Sequence, residues 1–453
     1  MLELSFNEIA KAVDGEILKE PIEYNVQSVS TDTRKIKENT MFIALKGCNF
    51  NGNDYVEEAF NKGANVCIID EIKYEENNIP SNKGLIKVEN GRVALMELAK
   101  YYRKKLALKV IGITGSAGKT STKDLLAALL SDKFKVFKTK GNFNNDIGLP
   151  LMILELDSNY DIAVLEMGMN NLKEIEKLAE ISSPDMAIIT NIGLSHIENL
   201  KTRDNILKAK MEITTYFGEN NILVVNGNDD KLSDIDSKDY NIIKTGIGED
   251  FNIGAKDFES REFSSKFKVF YNDLEEEFLL NMPGKHNVQN LMLGIAISKE
   301  LGLTLKEMKN GLKNLKATSM RLELIKNNKF IIVNDCYNSS PSSVKSAIDV
   351  VKSINGKRRI GIFGTMKELG AEARNAHNEI GKYAKENKID LVLCCGEFSE
   401  NIQNGFGLGC IVFNNKEELI KNLKNVVKND DIVLVKASRS MKFEEITNSL
   451  KEI

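Results

Sequence analysis

TGSAGKTS, Thr114 to Ser121, follows the short apolar run Lys109 to Ile113 and opens the helical run Ser121 to Leu130. It therefore reads as a strand, a glycine turn and a helix N-terminus. That arrangement cradles phosphate. Gly115 and Gly118 let backbone N–H groups approach an anion with no Cβ in the way, and the helix start adds partial positive charge. Within the stretch Ser116 and Ser121 flank the turn, Lys119 is expected to reach the β and γ phosphates of a nucleotide, and the Thr120 hydroxyl is expected on Mg²⁺. Ile113 stands where the general motif has its first glycine, so the loop is a shortened variant.

The chain has 453 residues, which suggests two to four domains; three are expected. Its hydrophobic fraction of 42% and charged fraction of 28% are ordinary for a globular protein. Lys+Arg 62 against Asp+Glu 65 leaves a net charge of −3, and nothing in that balance calls for nucleic acid or an anionic membrane. The N-terminus MLELSFNEIAKAV has acidic residues where a signal peptide is basic and then apolar, and no apolar run approaches the ~18 residues of a membrane span. A cytoplasmic chain is expected. The six cysteines show no CxxC pairing and read as reduced core residues, and the three histidines are too scattered for a zinc site.

Alternation of apolar bursts with helical runs makes the chain α/β throughout. Residues 1–107 form a small unit with strand-like Met41 to Leu45, Val66 to Ile69 and Leu85 to Val88. Its loops Ser30 to Arg34 and Leu45 to Tyr55 are rich in hydroxyls, amides and glycine, which suits either ligand contact or solvated turns. Residues 108–317 continue with Lys109 to Thr114, Ile162 to Glu166, Met186 to Asn191 and Asn221 to Asn226, bursts of the kind buried in a mostly parallel, doubly wound sheet. Between Asp250 and Met282 the period changes to alternation, which predicts a small antiparallel insertion. Residues 318–453 form a third, Rossmann-like unit with strands near Phe330 to Asn334, Arg359 to Phe363, Leu391 to Cys394 and Ile432 to Val435. Its glycine-rich turn GTMKELG, Gly364 to Gly370, lacks GK[ST] and is not read as a second phosphate site.

Phosphoryl transfer needs Mg²⁺ held by a few oxygen ligands and sometimes an imidazole. Glu166 closes the run IAVLE, and His196 follows MAIITNIGLSH; both stand where a parallel strand gives way to a loop. Lys210, in KAKMEI, reads from its surroundings as a solvated helical lysine. NFNNDIGLP, with Asn142, Asn144 and Asn145, suits a helix-starting turn or a substrate contact.

Taken in order, TGSAGKTSTK, NFNNDIGLP, EMGMN, NIGLSHIE, KAKMEI, GKHNVQN, MRLE, NDCYNSSPSS and VLVKASRSMKFE resemble the Mur ligase family of cell-wall synthesis over nearly the whole chain. TGS in the loop, STDTR and SRSMKFE resemble the members that add D-alanyl-D-alanine. The DNPR-like stretch of the diaminopimelate-adding members is not found. DCYNSSP departs from the family's DxYNANP, with Ser339 for Ala and Ser340 for Asn.

The resemblance implies three domains: one for a UDP-sugar substrate, a central ATP-binding one, and a last one that binds the incoming amine and closes on ATP. The implied reaction phosphorylates the terminal carboxylate of a UDP-N-acetylmuramoyl-tripeptide and joins it to D-Ala-D-Ala, with ATP and two Mg²⁺ as cofactors and the chain acting as a monomer. Thr31, Asp32, Thr33, Arg34, Lys46 and Gly47 are implied at the UDP end. Asn142, Asn144, Asn145, Asn338, Lys436, Ser438 and Arg439 are implied as further substrate contacts, and Asn287, Asn290, Arg321 and Asp335 as ATP contacts. His196 and Lys210, the latter as a carbamate, are implied with Thr120 and Glu166 as metal ligands. Folylpolyglutamate synthetase shares the loop and the acyl phosphate chemistry but lacks a first domain like residues 1–107. A non-catalytic nucleotide switch is the rival from another class.

Overall fold

The computed structural model describes residues 4–73, 79–316 and 318–453, so Ala317, at the expected end of the central unit, lies outside the described residues, as do the first three of the chain. Three mixed sheets of five, nine and six strands carry the fold.

The first sheet runs Glu16–Lys19, Gly84–Lys87, Ala64–Ile69, Thr40–Ile43, Ser28–Ser30, with only the first pairing antiparallel. Helix Gly91–Arg103 completes this unit, its start capped by the Asn90 side chain accepting from Arg92 and Val93 N–H. The helix also ties the unit to the next. Tyr102 Oη donates to the Leu156 carbonyl at 2.7 Å and Arg103 Nε to the Ser182 carbonyl at 2.8 Å, and one continuous apolar core runs from Leu98 to Leu149 and Leu178.

The central sheet has the order Leu274–Leu280, Ser265–Tyr271, Ile253–Ser260, Asn241–Ile247, Ile222–Asn226, Met186–Ile189, Lys109–Thr114, Ile162–Glu166, Val136–Lys138. Lys109–Thr114 is buried after its first residue and pairs in parallel on both flanks, as its β-branched run requires. From it the chain crosses to the edge strand Val136–Lys138, returns as Ile162–Glu166, then passes to the other flank. This reversal opens a crevice at the carboxyl ends of the strands, where the loops after Thr114, Glu166 and Ile189 emerge together. The expected antiparallel insertion is present, but it is continuous with this sheet, because Ile253–Ser260 pairs in parallel with Asn241–Ile247. Its alternation buries Phe267 against Phe278, with ring centroids 6.0 Å apart.

The third sheet runs Glu323–Lys326, Ile331–Asn334, Asp431–Lys436, Arg358–Phe363, Leu391–Cys395, Cys410–Phe413, parallel except for its first pair. Five of the six free cysteines are buried as the sequence suggests; Cys48 is exposed. Among the described residues no helix is long and apolar enough to cross a membrane.

Candidate active site

The phosphate loop is braced from the neighbouring strand end. Ser116 N–H donates to the Asn191 carbonyl at 3.0 Å, Ala117 N–H to Asn191 Oδ1 at 2.9 Å, and Thr190 Oγ1 to the Ala117 carbonyl at 2.6 Å. Gly115 has φ +149°, and a Cβ there would lie 1.8 Å from Thr190 Oγ1. Gly118, at φ +84°, starts helix Lys119–Leu130 and faces Asn290, whose Oδ1 a Cβ would meet at 2.8 Å. Lys119 Nζ donates to the Gly115 carbonyl at 2.7 Å. Burial pulls its pKa below the ordinary lysine value, Arg321 adds to that, and Glu166 and Glu368 oppose it.

Glu166 ends its strand buried. Thr120 Oγ1 donates to its Oε2 at 3.2 Å, and its backbone N–H donates to Thr139 Oγ1 at 2.9 Å. Lys123 Nζ lies 3.3 Å from Oε1 but off the hydrogen-bonding direction, so that oxygen accepts no hydrogen bond. Lys123 donates instead to the Thr139 carbonyl at 3.0 Å.

His196 sits at φ +65° before the short helix Ile197–Leu200. Its Nδ1 lies 2.7 Å from Glu368 Oε2, again outside hydrogen-bond alignment. Lys210, on helix Arg203–Met211, is not the solvated lysine its surroundings in the sequence suggest, being 1% exposed. It makes no hydrogen bond or ion pair with another described residue, and burial, aided by the Lys119 charge, holds its pKa well below the usual value. Glu212, two residues on, is turned away, accepting from Lys173 N–H at 2.7 Å.

Asn142, Asn144 and Asn145 line the same crevice; Asn145 Oδ1 accepts from Gly148 N–H at 2.8 Å and so starts helix Gly148–Leu154. Asn287 Nδ2 donates to the Pro283 carbonyl at 2.7 Å. The facing wall comes from the third sheet. Arg321 lies 4.3 Å over the Tyr337 ring, with a buried Nε that has no partner. Lys436 Nζ pairs with Asp335 Oδ2 at 2.5 Å and donates to the Asn338 carbonyl at 3.0 Å. Ser438 Oγ accepts from Lys367 N–H at 2.9 Å, and Arg439 pairs with Glu444 at 2.9 Å. These two walls enclose one cleft of about 1290 Å³, which holds the phosphate loop from Ser116 to Ser121, the three asparagines, Glu166, His196, Asn287, Asn290 and the third-sheet residues.

The first-unit residues do not line that cleft. Arg34 forks onto Asp32, Nε to Oδ1 at 2.9 Å and Nη2 to Oδ2 at 2.8 Å, with Thr31 and Thr33 on the same turn. Lys46 pairs with Glu71 at 2.7 Å and Asp70 at 3.3 Å, and Gly47 lies under the Phe50 ring. The turn does approach the asparagine loop, since Lys35 Nζ stands 5.4 Å over Phe143.

Sequence reasoning singled out neither Lys123, His286, Lys367 nor Glu368. Each lies inside a quoted motif or turn, yet only the fold shows them at the site: Lys123 against Glu166, the other three in the cleft wall. GTMKELG is not a phosphate loop in the structure; it delivers Glu368 to His196.

A phosphate loop confronted by basic residues of another domain across one cleft defines a nucleotide-dependent enzyme that works between domains. The Mur ligase family catalytic domain matches residues 25–103, the Mur ligase middle domain residues 113–298, and the Mur ligase glutamate ligase domain residues 320–439. The UDP-N-acetylmuramoyl-tripeptide–D-alanyl-D-alanine ligase of Bacillus subtilis (strain 168) is 38% identical over 460 residues, 100% of this chain and 99% of that protein. A crystal structure of MurF from Acinetobacter baumannii superposes with a TM-score of 0.90 at 30% identity, covering 98% of each chain. MurF from Thermotoga maritima, solved in complex with ADP, superposes at 0.84 with 29% identity, covering 94% of this chain and 97% of that one. The chain belongs to the Mur ligase family.

Proposed function

We propose that this chain is an ATP-dependent amide ligase that joins D-alanyl-D-alanine to UDP-N-acetylmuramoyl-tripeptide in peptidoglycan precursor synthesis, the activity for which its full-length relatives are named. The observation that carries the reading is the single cleft in which a phosphate loop, a buried carboxylate with one oxygen that accepts no hydrogen bond and a cationic wall from another domain face one another.

A carboxylate is a poor electrophile until one oxygen carries phosphate. Transfer of the γ-phosphoryl group of ATP to the tripeptide's terminal carboxylate gives ADP and an acyl phosphate. The D-Ala-D-Ala nitrogen then attacks the acyl carbon, the bond to the phosphate oxygen breaks, and amide, phosphate and a proton result. Lys119 offsets charge on the transferring oxygens, and Arg321, with its unpartnered Nε, faces the same space from across the cleft. Asn287 and Asn290 serve the adenine end, and Asp335 contacts ATP from the third domain. Asn142, Asn144, Asn145, Asn338, Lys436, Ser438 and Arg439 orient the reacting ends. Because the walls belong to different domains, closure excludes water from an intermediate that water would destroy.

The donor set fits a divalent cation: Glu166 Oε1 is buried without a hydrogen bond, and the Thr120 hydroxyl lies 3.2 Å from the other oxygen. Mg²⁺ bound there would neutralise phosphate charge. His196 and Lys210, the latter as a carbamate, would hold a second ion. Carbamate formation uses the unprotonated amine, and burial at Lys210, aided by the Lys119 charge, shifts the balance towards that form. Among the described residues no three His, Cys, Asp or Glu side chains cluster as a metal site, so phosphate oxygens and water would complete the coordination.

Residues 1–107 hold the UDP-sugar through Thr31 to Arg34, Lys46 and Gly47; 108–317 bind ATP; and 318–453 take the amine and close. The chain acts as a monomer in the cytoplasm, where its nucleotide substrates are made. The match of residues 25–103 to the family's own domain favours this reading over a folylpolyglutamate synthetase. The test is ADP release and product formation with ATP, D-Ala-D-Ala and either the lysine or the diaminopimelate tripeptide. ADP release should require both the acid and the amine; release that ignores either, or no product, would sink the proposal.

A further inference from the structure

The turn Gly364 to Gly370 carries a carboxylate across the seam between the third and central sheets, and nothing in the proposed chemistry accounts for it. Two contacts seat it on the loop that holds His196. The Glu368 carbonyl accepts from Glu198 N–H at 3.2 Å, and Glu368 Oε2 lies 2.7 Å from His196 Nδ1. Gly370 packs so tightly on the same loop that a Cβ would come within 3.1 Å of Glu198 Cα. Both side chains project from left-handed backbone, φ +66° at Glu368 and +65° at His196. Such conformations at non-glycine residues persist only where surrounding structure enforces them.

The turn is also held from behind. Met366 N–H donates to Nε2 of the buried His377 at 2.8 Å, whose Nδ1 lies 2.6 Å from the Ala373 carbonyl, and Lys367 N–H donates to Ser438 Oγ at 2.9 Å. The carboxylate is thus fixed to the third sheet, and its target to the central one. His196 Nδ1 is buried with no other polar partner, and the 2.7 Å approach becomes a hydrogen bond on a modest rotation of either side chain. An imidazole whose Nδ1 is oriented by a carboxylate presents Nε2 in a fixed direction.

We propose that Glu368 is a positioning residue that aligns His196 only when the third domain is docked on the central one, so that closure and readiness for phosphoryl transfer are one event. This rests on the proposed ligase reaction for its kinetic meaning, but not for its structural one. A residue that merely stabilised the third domain would act independently of His196; Glu368 acts through it.

The test uses the full chain with Glu368→Ala, Glu368→Gln, His196→Ala and the double variant. Small-angle scattering of the ligand-free proteins reads closure, and steady-state ligation reads kcat and KM. Glu368→Ala should expand the molecule and lower kcat by about ten- to a hundred-fold, with KM for ATP within about three-fold. Glu368→Gln, whose amide oxygen still accepts from Nδ1–H, should recover most of the kcat. Adding Glu368→Ala to His196→Ala should cost less than about two-fold more in kcat and expand the molecule no further. Multiplicative losses in the double variant, an unexpanded Glu368→Ala protein, or Glu368→Gln as poor as Glu368→Ala would each overturn the proposal. Failure of the wild-type chain to ligate counts against the reaction instead, and the scattering arm then judges Glu368 alone.

Discussion

Lys119 folds back onto the carbonyl of Gly115 in its own loop, and its proposed role has it swing from there to a phosphate oxygen. Lys119→Ala should leave the melting temperature nearly unchanged while removing turnover, a loss of about 3 to 4 kcal/mol of transition-state stabilisation. Measurable turnover near the wild-type rate would refute the role. His286 gives a prediction about acid. Burial, with Lys436 across the cleft adding to it, lowers its pKa from 6.5 to about 4. Between those values the unfolded chain binds a proton that the folded chain refuses, so stability present above pH 6.5 is lost progressively as the pH falls towards 4. His286→Gln should flatten that part of a stability-versus-pH curve, and an unchanged slope would dismiss the group. Some single residues were legible from type and position: Glu166 does end a parallel strand beside the loop, and His196, on the longer connection after Ile189, lines the same cleft. Lys210 was not, because a lysine two residues before a glutamate looks solvated until the fold turns Glu212 away and buries the amine. Ser340, the departure from the family's asparagine, stands at the N-cap of helix Pro341–Ser353, a place both residue types suit.

Strands buried on both faces were readable, as was the long alternating edge strand Leu274–Leu280, but the short edge strands were not. Lys109–Thr114 and Ile162–Glu166 coincide with their apolar bursts, whereas Glu16–Lys19, Ser28–Ser30, Val136–Lys138 and Glu323–Lys326, all at sheet edges, are short and partly exposed. A short edge strand is defined by the neighbour it pairs with, which hydrophobic period does not report. The turn after Lys109–Thr114 permits a sharper prediction. Gly115→Ala drives a Cβ into Thr190 Oγ1, the hydroxyl that ties Ala117 in place, and it does so at a φ that only glycine adopts freely. The cost should be about 1 to 3 kcal/mol or more in stability, read by urea denaturation, together with weakened nucleotide binding in calorimetry. Gly118→Ala faces the flexible Asn290 amide instead and should cost less stability. The reverse ranking would mean the bracing contact does not hold the loop.

At the scale of the whole molecule, the turn proposed to grip the UDP end and the cleft proposed to carry the reaction are separate. The turn Thr31 to Arg34 stands outside the cleft and approaches its asparagine loop through Lys35 over Phe143, while helix Gly91–Arg103 is packed into the central core. A cut near residue 107 would therefore strip apolar surface from the central domain, and point substitution is the cleaner probe. Arg34 is suited to it, because its guanidinium is 85% exposed and its fork onto Asp32 is a solvent-screened pair that contributes little to stability. If the first domain holds the UDP end, Arg34→Ala should lower kcat/KM for the UDP-muramoyl tripeptide by about ten-fold, or ~1.4 kcal/mol, through binding shared by ground and transition states. KM for ATP and for D-Ala-D-Ala should stay put, since the residues proposed to hold those substrates line the cleft and Arg34 does not. A variant that weakened ATP as much as the tripeptide would move the gripping site out of the first domain.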